Sequence, residues 1–381
     1  MAQRGRTTRS TGSRSAGPAR KPVRRKKRAR SPLRRIGGIF YCMLVALSAV
    51  IVVTYAGVRI AARPPEQASN PNPPAAGNTS SGDMNAEGSP AVSEDPGPQR
   101  KDYTYTFLLV ASDQVSGNTD TMMVLTYDTV NQKAGLVSLP RDTMIDGVKE
   151  SDGSHFYKLN GAYAYNGIEG LKSEVSQILG FPIDFYVKVN TRGFVRLVDA
   201  IGGVDFNVPV NMNYEDPTQD LYIHFNKGMQ WLSGSDALKV ARCRQNSYFD
   251  EAAGKWKTYD AYSNADIGRT ETQRNLLTAV LKKALSQPQN LPTYYDIFLE
   301  NVQTDLEMSD LLYFAEKALY FDFSNSLTTS VLPGDGTVTY HGWTYCYQLY
   351  PDQVLELINT QGINPYTTDI TADMLTLAQK S

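Results

Sequence analysis

Short apolar runs and amphipathic runs alternate along this chain from residue 103 onward, after a long uncharged apolar run over residues 36–58. The uncharged run has 23 residues, and a run of this length can cross a hydrocarbon layer of ~30 Å. We therefore predict a transmembrane helix over 36–58. A cleaved signal peptide is the alternative, but the run is long for one and Thr54-Tyr55-Ala56 is a poor cleavage sequence.

The pattern beyond residue 103 predicts a mixed α/β domain. Runs rich in β-branched and aromatic residues predict strands over 104–112, 121–129, 133–140, 184–190, 237–244 and 328–332. Apolar residues three and four apart predict helices over 160–180, 192–203, 269–287, 309–320 and 351–360. We predict a three-layer α/β/α sandwich with a central mixed sheet, preceded by one transmembrane helix.

Charge is distributed unevenly along the chain, and this distribution predicts how the chain is oriented across the membrane. Residues 1–35 hold 14 Lys and Arg and no Asp or Glu, whereas the rest of the chain is net acidic. The basic tail predicts a single-pass protein of the cell membrane with a cytoplasmic N-terminus and an extracellular C-terminal domain. A nucleic-acid arm is the alternative. Because no aromatic residues are interleaved and the apolar run follows at once, we expect contact with membrane lipid and no nucleic acid.

The composition divides the chain into five segments. Residues 59–102 are rich in Pro, Gly and Ser, which predicts an extended, mobile extracellular spacer. The predicted order is a basic cytoplasmic tail (1–35), the transmembrane helix (36–58), the spacer (59–102), a catalytic domain (103–365) and a C-terminal tail (366–381).

Several familiar catalytic and metal motifs are absent from the sequence. It contains no C-x-x-C, H-E-x-x-H, G-x-S-x-G or G-x-x-x-x-G-K-[ST], and its three His are scattered. These absences exclude motif-based assignment to zinc proteases, α/β-hydrolase esterases or P-loop enzymes. Cys243 and Cys346 could form one disulfide, and we interpret Cys243 as a small core residue.

Charged residues at predicted strand ends form the first candidate site. Asp113 follows the first strand and Asp120 precedes the second, so the two carboxylates could meet at one sheet edge. There they could hold Mg²⁺ or act as base and stabiliser. Arg141 leaves the third strand after Pro140 and could join them. Loop capping by the two Asp, and a surface pair of Arg141 with Asp142, are the alternatives.

The second candidate is the pair Arg242 and Arg244. Alternation along the predicted strand 237–244 places both on one face. Two guanidiniums on one face repel each other unless an anion lies between them, and phosphate suits their geometry. An exposed strand face without a ligand is the alternative.

The third candidate lies at the N-terminus of the predicted helix 269–287. Asp266, Arg269 and Gln273 share one helix face, and the N-terminus of a helix attracts anions. A cap formed by Asp266 is the alternative. The chain beyond residue 100 carries 21 basic and 34 acidic residues. Local clustering of Arg against this background suggests a bound polyphosphate with a divalent cation.

A series of motifs across 104–281 resembles, in order, those of the LytR–CpsA–Psr (LCP) family. They are FLLVASD, NTDTMMVLTYD, VSLPRDTMI, KLNGAY, VDAIGGVDF, WLSGSDAL, ARCR and DIGRTETQR. The resemblance implies an α/β/α sandwich whose apolar cavity takes a polyprenyl chain. It also implies transfer of teichoic acid, capsule or another glycopolymer from undecaprenyl diphosphate to peptidoglycan, with Mg²⁺ as cofactor.

The resemblance also implies residue roles by motif position. Asp113 and Asp120 resemble the family's metal-site and catalytic acids, and we expect Arg141 to act with them. The residues that resemble its diphosphate ligands are Arg141, Arg242, Arg244, Arg269 and Gln273. Asn118 stands where the family usually has Arg; it can hydrogen-bond phosphate but adds no charge.

The interval 245–265 is the second departure, because its 21 residues exceed the length that the resemblance implies. Its aromatic side chains could form a sugar-stacking lid over the site, or a surface loop without a ligand. They are Tyr248, Phe249, Trp256, Tyr259 and Tyr262.

We therefore expect a membrane-anchored phosphotransferase. A peptidoglycan sugar hydroxyl would attack the sugar-linked phosphorus of the lipid diphosphate. Asp113 or Asp120 would assist deprotonation or hold Mg²⁺, and the arginines would stabilise charge. A pyrophosphatase with water as acceptor, and a non-catalytic envelope-binding regulator, remain as alternatives.

Overall fold

A computed structural model describes residues 62–68, 98–112, 119–217, 221–263 and 266–380, without the side chains of Ser112, Asp120 and Asp266. The predicted transmembrane helix over 36–58, Asp113 and Asn118 lie outside the described residues. Within the described ranges, no helix has the length and apolar character needed to span a bilayer. The described residues all belong to one unit, Ile60–Ser381.

The secondary structure follows the predicted alternation of strands and helices. The strands are β1 Thr104–Ser112, β2 Thr119–Asp128, β3 Lys133–Leu139, β4 Met144–Val148, β5 His155–Lys158, β6 Phe185–Asn190, β7 Val204–Val208, β8 Met212–Asp216, β9 Leu221–Phe225, β10 Gly228–Leu232, β11 Gln245–Asp250, β12 Lys255–Asp260, β13 Val302–Thr304, β14 Leu327–Val331, β15 Gly334–Tyr340 and β16 Trp343–Leu349. The helices are α1 Leu159–Leu179, α2 Thr191–Ala200, α3 Gly234–Arg242, α4 Asp266–Leu285, α5 Leu291–Asn301, α6 Met308–Ala318 and α7 Pro351–Thr360.

A six-stranded sheet lies at the centre, in the order β13-β6-β1-β2-β3-β14. Strand β2 pairs antiparallel with both β1 and β3, whereas β1–β6 and β3–β14 are parallel. The sheet is therefore mixed, and the predicted α/β fold with a central mixed sheet is confirmed.

Side-chain alternation gives each face of the sheet its own hydrophobic contacts. Leu108 and Val124 pack on one side with residues of α1 and α7. Phe107 and Tyr127 point to the other side and pack with Tyr313 of α6. A further cluster joins α2, α3 and α4 to strands β7–β10. Successive residues of a strand point to opposite faces of the sheet. Both faces therefore present apolar side chains, and helices pack against each of them.

The predicted strand over 237–244 is wrong, because residues up to Arg242 form helix α3. The Ser233 side chain accepts a hydrogen bond from the backbone N–H of Asp236, which caps the helix. Ala237 and Val240, three residues apart, are both buried on one side of it. The helix ends before Cys243, whose backbone is extended.

The interval 245–265 is mostly an antiparallel hairpin, β11–β12, rather than an irregular loop. Its base is attached to β8 by side chains. Asn246 accepts a hydrogen bond from Asn213 N at 2.7 Å, and Ser247 Oγ accepts one from Glu215 N at 2.7 Å.

Parts of the predicted spacer contact the body of the protein. The Tyr105 hydroxyl donates to the carbonyl of Pro65 at 3.2 Å. Arg100 forms an ion pair with the buried Asp184, whose carboxylate also accepts from Ala68 N at 2.6 Å. Burial raises the pKa of Asp184, and Arg100 opposes this rise. The described ends of the spacer are therefore attached to the start of the sheet.

The segment after residue 365 also lies against the core. Tyr366 and Ile370 are buried in the cluster that contains α1 and α7. The backbone N–H of Thr376 donates to Gln177 O at 2.7 Å. This C-terminal segment therefore covers the end of α1.

Candidate functional site

A cavity of about 830 Å³ lies between the sheet and the helices on the side of α2 to α6. Its floor consists of alternate strand residues, including Leu109, Met123, Leu125 and Leu136, which share one face of the sheet. Helix α4 contributes Leu277 and other apolar residues to the wall. The cavity is therefore mostly apolar, and several residues along both β1 and β2 line it.

Four arginines and one glutamine of the predicted site line this same cavity. They are Arg141, Arg242, Arg244, Arg269 and Gln273. Arg141 lies two residues beyond β3, at the strand end next to the start of β2. The structure thus brings together five residues that are up to 132 positions apart in the sequence. Their binding roles remain predictions.

A tight turn fixes the backbone of Arg141. The Thr143 hydroxyl donates to Pro140 O at 2.6 Å, and the carbonyl of Arg141 accepts from Asn160 N at 2.9 Å. Arg141 Nε lies 3.5 Å from an Asp142 carboxylate oxygen, so the predicted Arg141–Asp142 pair is present. The pair does not exclude a role in the site, since Arg141 also lines the cavity.

Lys158 supports the turn that carries Arg141, and the sequence analysis did not identify it. Its Nζ lies 3.1 Å from Asp142 Oδ1 and donates to the carbonyls of Thr344 and Tyr345 at 3.0 and 3.2 Å. It therefore connects the turn of Arg141 to strand β16. Its place in the KLNGAY motif was the available signal, and we interpret Lys158 as a positioning residue.

Arg242 and Arg244 reach the cavity by a different geometry from the predicted strand. Arg242 ends helix α3, and Arg244 follows the extended Cys243. Both arginines are exposed while Cys243 is buried between them. Because a helix C-terminus carries partial negative charge, it stabilises the cation of Arg242. The predicted placement of Arg242 and Arg244 on one face of a strand is therefore wrong, although both arginines line one cavity.

Cys243 is confirmed as a core residue, at 1 % exposure. Burial raises the pKa of its thiol to about 12, so the thiol is neutral at physiological pH. Cys243 and Cys346 are both free and buried. The open question of a disulfide between them is thereby answered in the negative for this structure.

Arg269 and Gln273 lie in the first two turns of α4, as predicted. Arg269 is buried, at 7 % exposure. The Gln273 amide donates to Ala241 O at 3.0 Å, which connects α4 to the end of α3. Helix α4 begins at Asp266, but the side chain of Asp266 is outside the described residues, so its capping role stays a prediction.

Arg274, next to Gln273, is a second residue that was missed. It is 5 % exposed and donates to Ser138 Oγ at 3.1 Å. Its Nε lacks a hydrogen-bond partner among the described residues. Burial lowers the pKa of Arg274, and Glu271 opposes this. Arg274 thus fixes α4 against β3, the strand that leads to Arg141.

In the sequence, Asp113 directly follows β1 and Asp120 is the second residue of β2. Ser112 and Thr119 are register partners at the two strand ends, and the Asp120 backbone belongs to β2. Asp113, Asn118 and the Asp120 side chain are outside the described residues. Among the described residues, no group of three His, Cys, Asp or Glu could hold a metal ion.

The chain belongs to the LytR_cpsA_psr family, whose model matches residues 75–362. TagU of Bacillus mycoides (strain KBAB4), a polyisoprenyl-teichoic acid–peptidoglycan teichoic acid transferase, is 32% identical over 253 residues, or 64% of this chain and 73% of TagU. TagV of Bacillus subtilis (strain 168), with the same designation, is 29% identical over 240 residues, or 62% of this chain and 56% of TagV.

The fold agrees with a solved structure of one of these relatives. The crystal structure of B. subtilis TagV superposes with a TM-score of 0.54 at 24% identity, over 68% of this chain and 96% of that chain. The predicted family is confirmed, and the predicted reaction class is the one named for these relatives.

Proposed function

We propose that this protein transfers a glycopolymer from a polyprenyl diphosphate carrier to peptidoglycan. The observation that carries the proposal is one cavity that is lined both by many apolar side chains and by four arginines. A lipid diphosphate has two matching parts, because its apolar chain is joined to a compact polyanion. Apolar walls suit the chain through burial, and guanidiniums suit the diphosphate through charge-assisted hydrogen bonds.

The proposed reaction is a displacement at phosphorus. A peptidoglycan sugar hydroxyl attacks the phosphorus that carries the glycopolymer. The bond between that phosphorus and the bridging oxygen breaks, and polyprenyl monophosphate leaves with the bond's electron pair. The hydroxyl proton passes to Asp113 or Asp120. Arg141, Arg244 and their neighbours stabilise the negative charge that grows on the bridging oxygen.

Mg²⁺ is the proposed cofactor, with Asp113 and Asp120 as its protein ligands. Carboxylate oxygens are the ligands that Mg²⁺ prefers, and it usually binds together with substrate phosphates. When bound, it would neutralise charge on the diphosphate oxygens. Asn118 would hydrogen-bond a phosphate without adding charge.

The proposed location is the cell membrane, with 36–58 as the single span, the N-terminal tail in the cytoplasm and the catalytic domain outside. The uncharged 23-residue run and the basic tail before it support this placement. A membrane anchor also keeps the cavity near a membrane-embedded substrate. Teichoic acid, named for the relatives, is the proposed polymer class, and capsule polymer is the alternative.

The experiment is a transfer assay with full-length protein, a labelled lipid-linked polymer and peptidoglycan. We expect wild-type transfer in Mg²⁺, little transfer in chelator and none with Asp120→Ala. Asp120→Ala should still bind the lipid diphosphate, because the arginines are separate ligands. Equal rates in chelator and Mg²⁺, or a fully active Asp120→Ala, would refute the roles of the carboxylates and the metal.

A further inference from the structure

The hairpin β11–β12 exposes four large aromatic side chains close to the arginines. Tyr248, Phe249, Trp256 and Tyr259 are 49 %, 49 %, 40 % and 52 % exposed. Every residue of β12 is exposed. Exposed rings grouped on one small element are a recurrent mark of a binding surface.

The base of this hairpin is held in place, so its rings have a defined position. The hydrogen bonds of Asn246 and Ser247 to the backbone of β8, both 2.7 Å, fix the first residues of β11. The backbone N–H of Ala261 donates to Arg244 O at 3.2 Å where the hairpin returns. The hairpin therefore extends from the same backbone that carries Arg244.

One face of the hairpin begins with a residue that lines the cavity. Gln245, the first residue of β11, lines the cavity, and side chains two and four residues later point the same way. Phe249 is on that face, and its register partner is Trp256. The two rings are 5.6 Å apart at an interplanar angle of 70°.

The opposite face has a different character. Tyr248 and Tyr259 lie there with ring centroids 6.4 Å apart, together with the ion pair of Lys257 and Asp250. Asn246, the first residue on this face, is not one of the residues that line the cavity, whereas Gln245 on the other face is. The face of Tyr248 and Tyr259 therefore does not start from the cavity lining.

We propose that Phe249 and Trp256 bind the sugar units that adjoin the diphosphate of the lipid-linked donor. This inference rests on the proposed function. If the lipid chain occupies the apolar cavity and the diphosphate contacts its arginines, the sugar on the outer phosphate must leave through the mouth. From Arg244 to Phe249 the chain advances roughly 17 Å, which is about the length of three linked sugar rings.

The chemistry of the two rings suits pyranose sugars. The C–H groups on one face of a pyranose carry partial positive charge and pack on the negative face of an aromatic ring. Two rings at a steep angle offer both a face and an edge for a sugar. A membrane is the competing partner, but the three acidic residues of the hairpin outnumber its lysines, Lys255 and Lys257, and a net negative element disfavours contact with an anionic lipid surface.

The test compares two soluble probes on full-length protein in detergent by titration calorimetry. One probe is farnesyl diphosphate, and the other carries tri-N-acetylchitotriose, which is long enough to reach Phe249, on its terminal phosphate. We expect wild type to bind the glycosylated probe about tenfold more tightly, the factor that ~1.4 kcal/mol represents. Phe249→Ala/Trp256→Ala should bring the ratio of the two Kd values near one, without weakening binding of farnesyl diphosphate.

The matched control is Tyr248→Ala/Tyr259→Ala, which removes two rings from the opposite face and should keep the wild-type ratio. An equal loss in this control would overturn the assignment to one face. An unchanged ratio in Phe249→Ala/Trp256→Ala would overturn the sugar site. Wild type that binds neither probe would refute the proposed function, whereas equal binding of both probes would refute only this inference.

Two further measurements separate the competing partners. Binding of soluble N-acetylglucosamine–N-acetylmuramic acid fragments, the acceptor sugars, should be equal in wild type and in Phe249→Ala/Trp256→Ala. Binding to phosphatidylglycerol vesicles should also be equal. Selective loss of fragment binding would assign the rings to the acceptor, and selective loss of vesicle binding would assign them to the membrane; either result overturns the proposal.

Discussion

Arg244 is exposed at the mouth of the cavity, two residues beyond helix α3. An exposed arginine contributes little to folding, so its removal should affect ligand binding and not stability. We expect Arg244→Ala to weaken binding of polyprenyl diphosphate by roughly 10- to 150-fold, the loss of one charge-assisted contact worth about 1.5–3 kcal/mol. Titration calorimetry measures this affinity.

Arg196→Ala is the control for this substitution. Arg196 pairs with Glu300 on the protein surface, and it does not line the cavity. Binding should therefore equal that of wild type. Unchanged affinity in Arg244→Ala, with an unaltered unfolding curve, would contradict the assignment of Arg244 to the diphosphate.

Residue types and motif order were sufficient to select the arginines that line the cavity, but local contacts were not predictable. The hydrogen bond from Gln273 to Ala241 O joins two helices that the sequence separates by more than 20 residues. The ion pair of Lys158 with Asp142 likewise depends on how β5 approaches the turn after β3. Such contacts result from tertiary packing, which periodicity does not encode.

At the scale of elements, the contact between helices α2 and α3 depends on Gly234. A Cβ atom added there would lie 2.2 Å from the carbonyl of Val195 and 2.8 Å from Asp199 Oδ1. Gly234 N also donates to that same oxygen at 2.7 Å. We expect Gly234→Ala to push the helices apart and lower the free energy of unfolding by about 1–3 kcal/mol.

Urea unfolding measures this change, and Ser235→Ala is the matched control because Ser235 is the exposed neighbour in the same helix turn. A Gly234→Ala midpoint equal to that of wild type would contradict the close approach of the two helices.

Helix α3 also shows why one element was mispredicted. In 237–244 the alternation of Leu238, Val240 and Arg242 with other residues resembles a strand, yet Ala237 and Val240 also satisfy a helical spacing. A run of eight residues does not decide between the two periods. The N-cap of Ser233 with Asp236 three residues on was the signal that favours the helix.

At the scale of the whole molecule, the apolar cavity is the feature that separates a lipid substrate from a soluble one. Leu125 is partly buried and points into it, whereas Val124 points to the opposite core. We expect Leu125→Trp to fill part of the cavity and to weaken binding of long-chain polyprenyl diphosphate at least about tenfold. Titration with inorganic diphosphate, which lacks the chain, should give the wild-type affinity. Equal effects on both ligands would contradict a lipid in this cavity.

The cavity itself lay beyond sequence-based prediction. The long helices and the strands β1, β2, β3 and β6 were predictable because each has a clear period. The edge strand β13 and the paired strands β7–β10 were missed, since they have only three to five residues each and runs this short are hard to separate from loops. Residues of nine strands and five helices line the cavity, so its volume depends on their packing. The resemblance to a family supplied the expectation of a lipid cavity that periodicity did not.

In the proposed reaction, transfer to peptidoglycan consumes the lipid diphosphate. The most direct test is to quantify, by mass spectrometry, two products of one reaction by full-length protein: polyprenyl monophosphate and peptidoglycan-linked polymer. We predict that the two accumulate in equal molar amounts and that neither forms when peptidoglycan is withheld. Release of monophosphate without linked polymer would identify a pyrophosphatase, and absence of both products with intact substrate binding would leave a non-catalytic protein; either result contradicts the transferase.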